Sequence, residues 1–436
     1  MQNLKVNYNF LLLSISVLAI LSYFFGYYID ENSAGGGKGD FSTTWKNLQA
    51  FENVSFVEAI KLTALQDSNI FQSSRIPGVY IFHKLFNPFT KNPNEFRLSV
   101  FLFSILIPIS FYYAIKLKYK NVNPILILSL STLIFLSPYF RTSGIWGNEE
   151  NFGLLCLILS FIFFHLFNNE LVQTKKILFL IFLGFFSSLC VYFDQKLVFV
   201  PGVCFLMVLL SSSKLFYKIY LTILYILFSI PVLYLFYIWG GILPTADANT
   251  RDILKGNFYF QHILYSTSII GFYFLPLMIL IKDFSDKLKS KIFKKENFLF
   301  HVFISIFIFY ILFFYQIQNE IVLGKGVFYK LSLVLFSDYA LQKVFLVIVF
   351  LFLSLIILKL VKKNYQNIFI ILFLIFGSII YWPVLQEYFD PLILILFFTF
   401  LKSEIILEKR KIFFINIFFI SFLIFSFIYY SKIINV

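Results

Sequence analysis

The chain has 436 residues, of which 60% are hydrophobic, 22% aromatic and only 13% charged. Soluble globular domains carry about twice that share of charge, so a soluble fold is excluded and an integral membrane protein is indicated. The formal net charge of +14 does not mark a nucleic-acid partner, because the basic residues are scattered through short loops and not gathered on one polar face.

Taken in chain order, the first apolar run, 10–28, ends in bulky Phe and Tyr without a small-residue cleavage site. It reads as a retained helix and not as a removed signal peptide. Further spans are expected at 98–115, 122–138, 151–167, 178–193, 197–213, 219–239, 263–281, 298–315, 344–360, 367–382, 388–401 and 412–431. In lipid every backbone N–H and C=O must be satisfied within its own segment, so such runs are helices. The expectation is an all-α, polytopic membrane protein with about 12–13 transmembrane helices, forming a single domain over 1–436. The stretch 388–401 is short and follows Asp390-Pro391, which suits a broken or re-entrant element and leaves twelve as the alternative count.

With the N-terminus in the cytoplasm, alternate loops are all basic, and 21 of the 36 Lys and Arg fall on that side. Seven of the others lie in the long loop 29–97, which exceeds the length over which loop charge orients a chain. Acidic residues sort the other way. Six are cytoplasmic and 16 external, and carboxylates contribute little to topology, so their placement asks for another cause.

The loop 29–97 opens with DENSAGGGKGDF, residues 30–41. Asp30 and Glu31 stand at the mouth of the first helix, where an acid can take a proton from an incoming hydroxyl or simply cap the interface. Gly35, Gly36, Gly37 and Gly39 suit either a turn or a close backbone approach to an anionic or hydroxyl-rich ligand, though not with nucleotide P-loop spacing. Asp40 follows as a third acid. FSTTWKNLQAFEN and SFVEAIKLTAL have the pattern of short interfacial helices, and Pro77-Gly78 precedes a return to the membrane. The loop is therefore expected to be structured.

Later short turns supply a mixed polar set: Arg141, Trp146, Asn148, Glu149 and Glu150; then Asp194, Gln195 and Lys196; then Trp239, Asp247, Arg251 and Asp252; and last Gln386, Glu387, Tyr388 and Asp390. A charge at a membrane edge is costly unless it meets water or a partner, so these turns are candidates for one external cavity. Guanidiniums give bidentate phosphate contacts, whereas carboxylates and amides bond sugar hydroxyls. The aromatics equally suit the ordinary interface belt. Cys156, Cys190 and Cys204 lie unpaired in apolar runs, and the four histidines show no metal-ligand spacing. No metal site is assigned. A divalent cation held by Asp30, Glu31 or Asp40 is compatible with carboxylate chemistry, although no spacing selects it. No intramembrane acid relay, arginine ladder or inverted repeat is evident, which argues against a pump, voltage sensor or secondary transporter.

These elements resemble, in order over about the first 280 residues, those of the GT-C superfamily of glycosyltransferases, distantly its dolichyl-phosphate-glucose-dependent α-1,2-glucosyltransferases. Asp30-Glu31 is similar to that family's acidic motif after the first helix, and Ile76-Pro77-Gly78-Val79-Tyr80 to its Pro-Pro-Gly-Leu-Tyr element. Trp146-Gly147-Asn148-Glu149-Glu150, Phe193-Asp194-Gln195-Lys196 and Trp239-Gly240-Gly241-Ile242 resemble three further turns. The chain departs from the pattern after Glu31, where it reads NSAGGGKGDF, and at Asp194, where the family has Arg. The resemblance implies inverting transfer from a polyprenyl-phosphate sugar, with an external-loop aspartate as base.

The expected function is a membrane glycosyltransferase, with a polyprenyl-phosphate sugar donor, a glycan or lipid-linked acceptor and membrane lipids as partners. Asp30, Glu31 or Asp40 is the expected base, and Arg75, Arg141, Lys196 and Arg251 are the expected phosphate partners. Glu149, Glu150, Asp194, Gln195, Gln386 and Glu387 are expected substrate contacts. The rival readings are a lipid-linked oligosaccharide flippase and a polysaccharide polymerase. A bacterial inner membrane with a periplasmic active side is the expected location.

Overall fold

A computed structural model describes residues 7–65, 71, 73, 75–211, 213–244, 258–282, 298–315, 324–361, 364–380 and 384–434. Among the described residues there is no strand, and the single β-type pairing is an isolated bridge between Ile281 and Ile405. Among the described residues eight helices are long and apolar enough to cross a membrane, or nine when the pair Pro124–Leu136 and Pro138–Trp146, bent by 65°, is taken as one span. The chain is an all-α, multi-pass membrane protein.

Several expected spans are shorter. Gln195–Leu210, His301–Phe313 and Tyr365–Ile380 are apolar but under 18 residues, and Gly326–Leu335, not expected from the sequence, joins them. The span expected at 388–401 is corrected: its helix is Leu392–Phe398, seven residues with every side chain buried. At 1.5 Å per residue it covers about 10 Å, a third of a hydrocarbon core of ~30 Å. Periodicity-free hydrophobicity reports burial, and here the burial is in protein and not in lipid.

The chain also divides into two compact units, Met1–Leu254 with Asn416–Val436, and Lys255–Ile415, where composition suggested one domain. Both are equally greasy, so hydropathy carries no record of which helices pack together.

The first unit holds α1 (Tyr8–Tyr28), α2 (Gly37–Glu52), α3 (Phe56–Leu65), α4 (Gly78–Phe86), α5 (Pro93–Ser104), α6 (Leu106–Lys118), α7 (Pro124–Thr132), α8 (Pro138–Trp146), α9 (Glu150–Asn169), α10 (Gln173–Phe193), α11 (Phe199–Leu210) and α12 (Leu215–Trp239). Three starts share one device. Asn92, Asn123 and Ser137 each cap a helix through a side-chain oxygen, with Pro93, Pro124 and Pro138 at the first helical position, where a missing N–H removes no helical bond. The first loop is structured as expected, since α2, α3 and α4 occupy most of it. Beneath them Tyr23 of α1 stacks on Phe101 of α5 at 4.5 Å and packs against Phe140 of α8 at 5.5 Å. With no hydrophobic drive between helices in lipid, such packing and buried hydrogen bonds hold the bundle.

In the second unit, His262–Leu277 and Tyr339–Val361 approach closely at Gly271, where an added Cβ would lie 2.6 Å from Leu353 Cβ. Asn367 ties Tyr365–Gly377 to the end of the preceding helix Tyr339–Val361 and to the segment after Leu392–Phe398, its Nδ2 donating to Leu360 O at 2.7 Å and Lys402 O at 2.9 Å.

Candidate functional site

The first unit gathers its ionic residues where α1, α8 and α10 end and α9 begins. Helix α1 stops because Asp30 turns left-handed, with φ +51°, and the Glu31 N–H returns to Gly26 O at 2.8 Å. Asp30 then pairs with Arg97 of α5 at 2.5 Å, its own side chain 60% exposed. Arg97 in turn donates to Ile145 O at 3.1 Å and lies 4.3 Å from the Trp146 ring centre.

Glu31 turns inward and is 6% exposed. Arg141 grips both its oxygens, through Nε at 2.7 Å and through Nη2. The remaining Arg141 donors go to Ser22 Oγ and Phe135 O at 3.0 Å each and to Ser22 O at 2.7 Å. All five guanidinium donors are thereby used inside the protein. Gly26 makes room for the pair, since a Cβ there would lie 2.4 Å from Glu31 Oε2. The glycine run serves packing as well: a Cβ at Gly35 would strike the Tyr430 ring, and one at Gly37 would strike Thr142 and Trp146. Gly36, with φ +72°, is the cap of α2.

Helix α8 joins this region to a second ionic cluster. Its Trp146 donates Nε1–H to Glu31 O at 2.9 Å, and its Ser143 donates to Glu150 Oε2 at 3.0 Å. Gly147, left-handed at φ +74°, ends α8 and lets Asn148 and Glu149 turn into α9. Arg75 reaches Glu150 Oε1 at 3.1 Å and Glu149 Oε1 at 3.8 Å, through Nη1 alone, with 47% of its side chain exposed. Tyr80 of α4 donates to Glu149 Oε1 at 2.8 Å and accepts from Asn47 of α2 at 3.2 Å. Beyond α10, Lys196 stands 3.5 Å from Asp194. The α4 segment sits tight on this end of α10, because a Cβ at Gly78 would lie 2.3 Å from Tyr192 O. Asp40, exposed in the first turn of α2, feels the charges of Glu150 and Arg75. Its carboxylate makes no hydrogen bond or ion pair among the described residues.

Burial pushes the Glu149 carboxyl above the usual range, with Arg75 opposing and Glu150 adding to the rise. Asp194 is likewise raised by burial against the pull of Lys196. Asp40 is raised by partial desolvation and then by Glu150. Four acids thus share the charges of Arg75 and Lys196, which leaves the cluster net negative.

Among the site residues expected from sequence, Asp30, Glu31, Asp40, Arg75, Arg141, Glu149, Glu150, Asp194 and Lys196 come together in this unit. Gln195 accompanies them, half-buried, in the short turn Gln195–Leu197. Arg251, with Asp247 and Asp252, lies outside the described residues. Gln386 and Glu387 belong to the second unit, where Gln386 donates to Tyr273 Oη at 3.0 Å. Trp239 buttresses the Ile76 segment, packing against Ile76 and donating to Thr63 Oγ1 at 2.8 Å. No group of three His, Cys, Asp or Glu side chains among the described residues is placed to hold a metal ion.

Sequence reasoning missed Arg97 and gave Tyr80 no role of its own. Arg97 was counted as loop charge, although an arginine set at the mouth of a span is a signal of pairing. It also missed Lys325, buried between Tyr265 and Tyr329 in a Gly-Lys-Gly turn of three positive φ angles. The flanking glycines were the available hint. No protein-family model matches the chain, and no curated protein or solved structure matches it.

Proposed function

We propose that the protein is a membrane glycosyltransferase of the GT-C type, moving a sugar with inversion from a polyprenyl-phosphate donor to a glycan or lipid-linked acceptor on the non-cytoplasmic side. In this reading it resides in a bacterial inner membrane, N-terminus inside, with the active face periplasmic. The observation that carries it is an exposed carboxylate, Asp40, which makes no hydrogen bond or ion pair among the described residues and lies within electrostatic reach of Arg75, a half-exposed guanidinium that uses only Nη1 among those residues. Group transfer from a lipid phosphate needs both.

Asp40 takes the proton of the acceptor hydroxyl while that oxygen bonds the anomeric carbon from the face opposite the phosphate. The bond from the anomeric carbon to the phosphate oxygen breaks, and its electron pair stays on the phosphate, beside Arg75. Asp30 and Glu31 enter as positioning groups, because Arg97 holds one Asp30 oxygen and Arg141 holds both oxygens of Glu31. Arg141, with every donor used, braces the site and does not reach for phosphate.

The test is incubation of purified protein with a panel of polyprenyl-phosphate sugars, reading release of the lipid phosphate. Release with one donor, abolished in Asp40→Asn with donor binding kept, is expected. No release and no binding with any donor overturns the reading, and lipid flux that survives the substitution favours a transporter.

A further inference from the structure

Charge balance inside the second cluster singles out one oxygen. Glu149 is 5% exposed, and its Oε2 is buried with no hydrogen-bond partner among the described residues. Its neighbour Glu150 differs in every respect that favours the ion. Glu150 is nearer to Arg75, 3.1 against 3.8 Å, accepts from Ser143, and occupies the first turn of α9, where the helix dipole stabilises an anion. Glu149 precedes that turn and makes no side-chain cap. The groups facing Glu149 are Arg75 from the segment before α4, Tyr80 from α4, Glu150 from α9 and Asp194 from the turn after α10. Lys196 from that same turn acts on Glu150. Three interior acids therefore meet two cations, and an ionised oxygen left without a donor in such a place is strongly disfavoured.

We propose that Glu149 is a proton-holding site: in the resting protein Oε2 carries a proton at neutral pH, while Glu150 and Asp194 stay ionised against Arg75 and Lys196. Two adjacent carboxyls with opposite environments then divide their roles, one neutral acid and one anion. A neutral Glu149 commits the Arg75 charge to Glu150 and keeps an uncompensated negative charge out of the buried Oε2 position. This assignment does not depend on sugar transfer, since no ligand enters it.

Infrared difference spectra of the full chain, stepped upward from neutral pH, test it directly. The carbonyl stretch of a protonated carboxylic acid is expected at neutral pH, lost as pH rises, absent in Glu149→Gln and shifted in Tyr80→Phe, which removes the donor to Oε1. No such band, or one that persists unchanged in Glu149→Gln, overturns the proposal. Thermal unfolding gives a second readout with a definite sign. A carboxyl raised by folding makes the native state less stable as pH climbs from the ordinary carboxylate range to its raised value. Glu149→Gln is expected to gain melting temperature over wild type across that interval and to match it at lower pH. If the glutamine variant does not fold, the wild-type and Tyr80→Phe spectra alone decide: a band that disappears with rising pH and shifts in Tyr80→Phe upholds the proposal, and any other result overturns it.

Discussion

Two arginines of the first unit do opposite things. Arg141 is 2% exposed and donates all five N–H groups to Glu31, Ser22 and the Phe135 carbonyl. Arg75 is about half exposed and bonds Glu150 through Nη1, with no partner for Nε or Nη2 among the described residues. The first is a brace: the end of α1 is fixed to α8, and removing either partner would strand a buried charge. The second bonds through one nitrogen with half of its side chain in solvent, and the proposed phosphate contact is assigned to it for that reason. Residue type is the same in both, so number of donors in use and exposure, not chemistry alone, separate structure from function.

That contrast can be broken or sharpened by substitution. The largest effect is expected at the open cluster, where Asp40→Asn should lower turnover by about 10²–10⁴-fold without loss of folding, read by lipid-phosphate release and thermal unfolding together. At the brace, Arg141→Gln leaves Glu31 buried without its cation and should cost about 3–5 kcal/mol of stability, measured as the shift in unfolding midpoint. Gly26→Ala pushes a methyl toward the Glu31 carboxylate and should destabilise by about 1–3 kcal/mol; an unchanged melting temperature would show the brace to be dispensable. Arg75→Gln is expected to weaken donor binding roughly tenfold, by equilibrium binding of a polyprenyl phosphate, while folding survives. The smallest effect belongs to Asp30→Asn. The Asp30 side of its ion pair is 60% exposed, Asn keeps an oxygen that can accept from Arg97, and Asn also tolerates the left-handed turn, so stability should fall by no more than about 1 kcal/mol.

Much of this was legible in the chain and some was not. The Asn-Pro and Ser-Pro pairs at 92–93, 123–124 and 137–138 carry helix starts in local chemistry, whereas hydropathy alone sets the span boundaries at 98, 122 and 138. The interfacial helices of the first loop were readable, because their patterning is short-range. The acids of 30–40, 149–150 and 194 could be nominated as companions from their turns. Which acid would be gripped, by which cation, could not be read: Glu31 meets Arg141 across 110 positions and Arg75 meets Glu150 across 75. Nor could the buried seven-residue helix Leu392–Phe398 be told from a span, since protein interior and lipid select the same side chains.

By itself the sequence determined that the chain is helical and membrane-bound, because apolar length in a medium without hydrogen-bonding solvent leaves the backbone no other solution. It also determined which connecting segments carry charge. Only the tertiary structure decided that one arginine is sealed and another half exposed, and that among the described residues Glu149 has an oxygen without a partner and the Asp40 carboxylate makes no ion pair. Those outcomes depend on distances between segments far apart in the chain, and the strength of a charge interaction depends on separation and on the water left around it.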